Sequence, residues 1–342
     1  MDLELLKELC DAPGVPGHEE NIRKIVKREL KELSDEIIID PMGNAIFMIN
    51  GKSGATILVD AHMDEVGFIV SHVEESGLIR VIPLGGIDPK LFYGQRLTIW
   101  GENSIEVTVG AAPPHIRKDG DSAPEIDDCI IDSGINYKKL QTLVKVGDPV
   151  TFSTKCIIDN QRVLSKALDD RVGLFVAIET VKKINKKNLK CQLVISASVQ
   201  EEMGLRGARI INSRVNPDFS IALEGTVSND LPGVPNHKTL AALGRGPEIR
   251  ISDKYLIADR DLNDFIQKLA KSKKINYQLT AKNAGGTNST AFQVTGSGSK
   301  ATVLSVPVRY LHSPSSVCLL KDIKSTIELL SLTISNIHKF KS

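Results

Sequence analysis

The residues of this chain whose types and spacing could do chemistry are His62, Asp64, Asp169, Glu201, Glu202, Glu224 and His312. All sit at or just past the end of a stretch that patterns as a β-strand. Ala55 to Ala61 runs into His62-Met63-Asp64, Val163 to Leu168 into Asp169-Asp170, and Cys191 to Val199 into Glu201-Glu202. Phe219 to Leu223 runs into Glu224, and Ala301 to Val306 shortly precedes His312. In open α/β sheets the carboxyl ends of parallel strands gather at one edge, where ligands bind, so these side chains are expected to converge. Two imidazoles with three or four carboxylates suit zinc, cobalt or manganese better than calcium or magnesium, which prefer all-oxygen shells. So many carboxylates would over-neutralise one ion, and a pair of ions bridged by one aspartate is the better balance. Adjacent side chains diverge, so of Glu201 and Glu202 one can hold a cation while the other moves a proton. The His-x-Asp spacing lets Asp64 accept the other ring N–H of His62 and fix its tautomer.

Each residue taken singly also has a plainer explanation. An isolated Glu-Glu is an acidic turn, Asp169-Asp170 opening a helix is an N-cap, and His312 before Ser315 and Ser316 borders a cap. Their common placement at strand ends is what folding alone does not require. Gly285-Gly286-Thr287-Asn288 lacks the Walker spacing and its lysine, and no GxSxG elbow is present, so nucleotide binding and serine-hydrolase chemistry have no support.

The elements that must position these residues follow from periodicity. Residues 1–10 pattern as an amphipathic helix rather than a signal peptide, and Ile22, Ile25, Val26, Leu30 and Leu33 share one face of a helix over 18–33. Strands over 37–40 and 45–50 flank a Pro-Met-Gly-Asn turn. From 70 to 162 short β-prone pieces alternate with Gly, Pro and Asp turns, the texture of a small all-β module inserted into a larger domain. Within it, Pro113 to Asp128 reads as a long surface loop. After 162 helices and strands alternate again: a strand over 163–168, a helix from Arg171, strands at 191–199, 219–223, 248–252, 277–280 and 301–306, and a closing helix from Val317. The fold expected is α/β, a mixed sheet flanked by helices on both faces, with an inserted barrel-like all-β domain. The catalytic domain would comprise 1–69 and 163–342, interrupted by 70–162.

Composition narrows the function. The chain has 342 residues, 43 basic and 42 acidic, for a formal net charge of +1, so long-range attraction to nucleic acid or an anionic membrane is not expected. No apolar run reaches the ~20 residues of a membrane span. Five scattered cysteines without CxxC spacing leave any metal to His, Asp and Glu and point to a cytoplasmic protein.

The motifs DAHMDEVGF, SKALDDRVG, SVQEEMGLRGA, IALEGT, GGTNS and VRYLHSPSS occur in this order, with LGGIDPKLFYGQRLTIWG and VGDPVTF in the β insertion. Together they resemble the tetrahedral dinuclear metallo-aminopeptidases, the glutamyl and leucyl aminopeptidase relatives often labelled cellulase or endoglucanase. The resemblance implies two divalent metal ions, zinc or cobalt. One would be held by His62, Asp169 and Glu224, the other by Asp169, Glu202 and His312, with Asp169 bridging. Glu201 would be the general base and Asp64 the partner that orients His62. The reaction implied is removal of N-terminal residues from peptides with a free N-terminus by a water that the two metals activate. A related metal-dependent carboxypeptidase or deacylase is the alternative; a glycoside hydrolase or a non-catalytic assembly protein is more distant. The family fold also implies that the insertion is a dimerisation domain, that dimers build a tetrahedral dodecamer, and that the loop around His115 lies near a neighbouring subunit's site. Two positions depart from the family pattern. Glu224 stands where Asp is common, and Asn288, placed near the substrate pocket, stands where Asp is frequent.

Overall fold

In the computed structural model the described residues are 1–52, 54–110, 126 and 129–341. The loop around His115 therefore lies outside the described residues. Helices α1 (Leu3–Asp11) and α2 (Glu20–Leu30) lead into β1 (Glu36–Ile39), β2 (Ala45–Ile49) and β3 (Thr56–His62). The chain then leaves the sheet for β4 (Gly67–Val73), β5 (Leu78–Leu84), β6 (Arg96–Trp100), β7 (Ser104–Val109), β8 (Ile131–Asp132), the single-turn α3 (Tyr137–Leu140) and β9 (Pro149–Phe152). Next come β10 (Ile157–Asp159), β11 (Arg162–Ser165), α4 (Leu168–Lys183), β12 (Gln192–Ser198), α5 (Arg206–Val215) and β13 (Phe219–Val227). The chain ends with β14 (Glu248–Ser252), α6 (Arg260–Ser272), β15 (Gln278–Ala281), α7 (Asn288–Val294), β16 (Lys300–Val308), β17 (Ser316–Leu319) and α8 (Leu320–Asn336).

Eight strands form one mixed sheet in the order β1-β2-β12-β3-β13-β16-β14-β15. Its centre, β12-β3-β13-β16, is parallel. Successive side chains of a strand face opposite ways, and the burial follows that rule. Ile57, Val59 and Ala61 of β3 join Leu193, Ile195 and Ala197 of β12 in the large core beneath α1, α2, α4 and α8. Leu58, Val194 and Ile46 point the other way, onto Ala208 and Ile211 of α5 and Phe292 of α7. Helices thus cover both faces, which is why the central strands read as unbroken apolar runs. Helix α4 is the most enclosed, buried almost all round, and its packing against β3 and β13 brings its first residues to the carboxyl edge of the sheet.

The intervening β-rich segment closes into a six-stranded barrel, β4-β5-β8-β7-β6-β9. Phe68, Phe92 and Phe152 stack at its centre, with ring centroids 4.6 and 5.6 Å from Phe68. The texture places the insertion at 70–162, whereas the barrel strands run from Gly67 to Phe152 and residues 157–165 pair elsewhere. Strands β10, β11 and β17 form a separate antiparallel sheet.

That small sheet corrects two expectations. The strand expected over 163–168 is not part of the main sheet, because β11 pairs with β10 and β17 and ends at Ser165. The chain then turns through Ala167 at φ 55° into α4, so Asp169 arrives at a helix start, not a strand end. The closing helix begins at Leu320 rather than Val317, because Ser316–Leu319 is taken up by pairing with β11. Glu224 also differs from expectation: β13 continues to Val227, leaving Glu224 inside the strand.

Candidate metal centre

Parallel pairing of β12 with β3 places Ser198 opposite His62, which puts the residues following each strand side by side. His62 is 1% exposed, and its Nδ1 faces the carbonyl oxygen of Asp64 at 3.0 Å, with Asp64 Oδ1 at 3.5 Å. A carbonyl only accepts, so the proton sits on Nδ1 and Nε2 is free to turn to the carboxylates. Nε2 lies 3.4 Å from Asp169 Oδ1 and 3.7 Å from Glu224 Oε2. The carboxylate of Asp64 has another task as well. Its two oxygens accept the backbone N–H groups of Glu201 and Glu202, each at 3.0 Å, and so fix the turn that carries both glutamates.

The Asp169-Asp170 pair divides its work. Asp170 accepts the N–H of Gly173 at 3.0 Å, the pattern of an N-cap, and that of His62 at 3.2 Å. Asp169, on the other side of a cis peptide bond, faces the cluster. Its Oδ2 lies 3.3 Å from His312 Nε2, which is also 3.1 Å from Glu202 Oε1. His312 sits in the left-handed region at φ 57°, and its Nδ1 is 2.9 Å from the carbonyl of Gly86 in the turn after β5. All seven residues singled out from the sequence are therefore brought together.

Donor atoms of His62, Asp169 and Glu224 lie within 4.8 Å of one another, as do those of Asp169, Glu202 and His312. A third grouping, His62 with Glu201 and Glu202, is equally close. The donors fit divalent cations. Asp169 Oδ1 and Glu224 Oε1 are buried and, among the described residues, accept no hydrogen bond, an arrangement costly unless positive charge is supplied. The charge state says the same. Burial opposes protonation of His312, but Asp169 and Glu202 push its pKa up to about 11; His62 is likewise raised, by Asp169 and Asp64 against burial. Burial alone would raise Asp169, yet the two imidazoles hold it well below the usual carboxylate range. Burial pushes Glu201 well up, with Glu224 and Glu202 adding to it, and raises Glu224 with Asp170 adding.

Asp169, Glu201, Glu202, Glu224 and His312 line a cavity of ≈ 740 Å³. Away from the carboxylates, its charged lining is basic: Arg209, Arg250 and Lys282. Arg250 binds Asp253 and Glu248, and Lys282 binds Glu248 at 2.8 Å; both acids are buried behind the wall. Asn288 does not line the cavity. It is 1% exposed and donates to Asp60 and Ser198, at 2.8 Å each, beneath the ligand edge. Its amide is thus the partner of a buried carboxylate rather than a missing charge near substrate.

Other residues around the site escape sequence reasoning. Glu65 takes Lys166 at 2.6 Å and Arg171 at 3.2 Å, and its Oε1 accepts the N–H of Gly14, tying the chain after β3 to the approach of α4. The available signal is charge next to motif, since Glu65 follows Asp64 while Lys166 and Arg171 bracket Asp169. Glu19 accepts the N–H groups of Gly17 and Gln200, and nothing in its local sequence marks it.

Comparison with known proteins decides the family. The model of the M42 glutamyl aminopeptidases matches residues 43–329. The chain belongs to the M42 glutamyl aminopeptidase family. A putative aminopeptidase of Acetivibrio thermocellus is 33% identical over 96% of this chain and 96% of its own length. The lysyl aminopeptidase of Pyrococcus furiosus is 32% identical over 96% of this chain and 95% of its own. Among solved structures, an aminopeptidase of Desulfurococcus kamchatkensis superposes with a TM-score of 0.94 at 31% identity, covering 99% of this chain and 97% of its own. The TET1 peptidase of Pyrococcus horikoshii, described as assembling into a tetrahedron or a large octahedral shell, gives 0.88 at 32% identity, covering 97% and 98%. M42 membership makes this chain an aminopeptidase, a metal-dependent hydrolase, and the His and carboxylate groups described above could hold the divalent metal. Among the described residues, no helix is long and apolar enough to cross a membrane.

Proposed function

We propose that this M42 aminopeptidase removes N-terminal residues from peptides with two divalent cations, zinc or cobalt. The first would be held by His62, Asp169 and Glu224, the second by Asp169, Glu202 and His312. The observation that carries this reading is the orientation of Asp169, whose Oδ1 and Oδ2 face different imidazoles at 3.4 and 3.3 Å. When bound, such cations supply Lewis acidity towards a peptide carbonyl and bring a water's pKa towards neutrality. Glu201 is the general base. It lines the cavity, its backbone is tied to Asp64, and burial, with Glu224 and Glu202 adding to it, raises its affinity for a proton. It takes the proton of the attacking water and returns it to the departing amine. Glu202, one residue on, turns instead to His312.

The basic wall of Arg250 and Lys282 would receive the side chain of the N-terminal residue. Arg250 reaches Thr226, which shares a face of β13 with Glu224 one row (~7 Å) further along the strand. An acidic side chain anchored near Glu224 would meet it, so glutamyl substrates are expected to exceed glutaminyl ones. The barrel would serve dimerisation, and assembly of dimers into a tetrahedral dodecamer is supported by the likeness to the Pyrococcus horikoshii peptidase, which can assemble into a tetrahedron or a large octahedral shell. Five free, buried cysteines suit a cytoplasmic setting.

A glycoside hydrolase fits less well. Such clefts are rich in aromatic stacking surface, whereas among the described residues Tyr255 is the one Phe, Tyr or Trp lining this cavity, and Trp100 is bonded to Thr151 in the barrel. Metal analysis with a panel of aminoacyl chromogenic substrates tests the proposal. Two cations per chain and chelator-sensitive release of the N-terminal residue are expected. Cleavage of N-acetylated peptides would instead favour a carboxypeptidase or deacylase.

A further inference from the structure

The two proposed cation positions are not built from the same parts. His62 is oriented by its own segment, through the carbonyl of Asp64, and is enclosed by the sheet. His312 is oriented by the barrel, 226 residues away in sequence. It stands on left-handed backbone with a side chain 32% exposed, and its Nδ1 donates to the Gly86 carbonyl at 2.9 Å. That bond places the proton on Nδ1 and aims Nε2 at Asp169 and Glu202. The preceding residue of the same turn lies close beside the other proposed ligand. Gly85 has φ +88°, and a Cβ there would lie 2.8 Å from Val66 Cγ1, 3.2 Å from Glu202 Cβ and 3.3 Å from Glu202 Oε2. One barrel turn therefore bonds His312 and closely borders Glu202, two of the three side chains of the second position. Both of these approaches, Gly86 to His312 and Gly85 to Glu202, fall on side chains of the second position.

We propose that the Gly85–Gly86 turn is a positioning element for the second cation, so that occupancy of that position, and not of the first, depends on how the barrel is seated. This rests on the two-cation reading above. A glycine is required at 85 because only it combines left-handed backbone with that approach to Glu202. The turn acts through His312 and Glu202. Orienting partners of metal-bound histidines typically matter by 10- to 100-fold (~10–100) in metal affinity.

The test uses the full chain loaded with zinc, dialysed against stepped chelator concentrations, with retained zinc per chain measured. The native protein should lose one zinc well before the other. Gly85→Ala should release the weaker zinc at least about tenfold more readily, with the tighter one unmoved. Gly94→Ala is the control, since Gly94 is also a left-handed barrel glycine, at φ +67°, but with no described residue within 4 Å of its Cβ position. It should match the native profile. If Gly85→Ala gives no folded protein, Gly85→Asn tolerates the backbone while keeping the bulk against Glu202, and the same selective loss is expected. Equal weakening of both zincs, weakening of neither, or the same loss in Gly94→Ala would overturn the positioning role. A native protein that holds one zinc at every concentration would overturn the two-cation reading itself.

Discussion

The first proposed cation position would be a product of the sheet, and the second a joint between the sheet and the barrel. His62 and Glu224 come from adjacent parallel strands, β3 and β13, and are nearly inaccessible, at 1% and 5% exposure. Glu202 and His312 come from a turn and a left-handed loop, held by Asp64 on one side and by Gly86 of the barrel on the other. Asp169 belongs to both. The contrast teaches that the β-scaffold would fix one half of the proposed dinuclear site, whereas the other half would depend on the module packed against it.

The largest effect expected tests the shared element. Asp169→Asn should lose both cations and leave activity at background, whereas His312→Gln should keep the first cation; metal content of the purified variants checks both. If Asp169→Asn kept two cations, the bridge would be wrong. Next in size, Glu201→Gln should bind both cations as the native enzyme does while kcat falls about 10³-fold or more. Loss of a cation in that variant would instead favour the grouping of Glu201 with His62 and Glu202.

Asp64→Asn sharpens the comparison further. It places a donor amide against the N–H groups of Glu201 and Glu202, and it should weaken metal affinity or activity about 10- to 100-fold. The cation beside Glu202 should be the more affected, as read by chelator competition.

The smallest effect concerns the support under the turn. Glu19, buried against Gln200, has its pKa raised by burial from 4.5 to about 7. A raised carboxyl contributes stability that is present below its unfolded pKa and is lost as pH rises through about 7. Glu19→Gln keeps an acceptor without the charge. Its Tm should exceed the native value at pH 8, with the difference vanishing near pH 4.5. A lower Tm at pH 8 would contradict the assignment.

How legible each half was in the sequence follows the same division. His62, Asp64, Glu201 and Glu202 stand at real strand ends, because a parallel strand buried on both faces leaves a continuous apolar run that stops where polar chemistry begins. Asp169 was found for a different reason than the one that places it: β11 turns away to pair with β17, and a helix delivers the residue. The barrel was legible as texture, from its short strands and turns. Its contact with His312 was not, since a backbone carbonyl 226 residues distant carries no side-chain signature. The Arg250–Lys282 wall was hidden likewise, because it depends on pairing of β14 with β15 across an intervening helix.

The most direct measurement of the central claim is anomalous diffraction at the zinc edge from crystals of the loaded protein. Two peaks are predicted, one beside His62 and Glu224 and one beside Glu202 and His312, with Asp169 between them and Glu201 touching neither. A single peak enclosed by His62, Glu201 and Glu202 would contradict it.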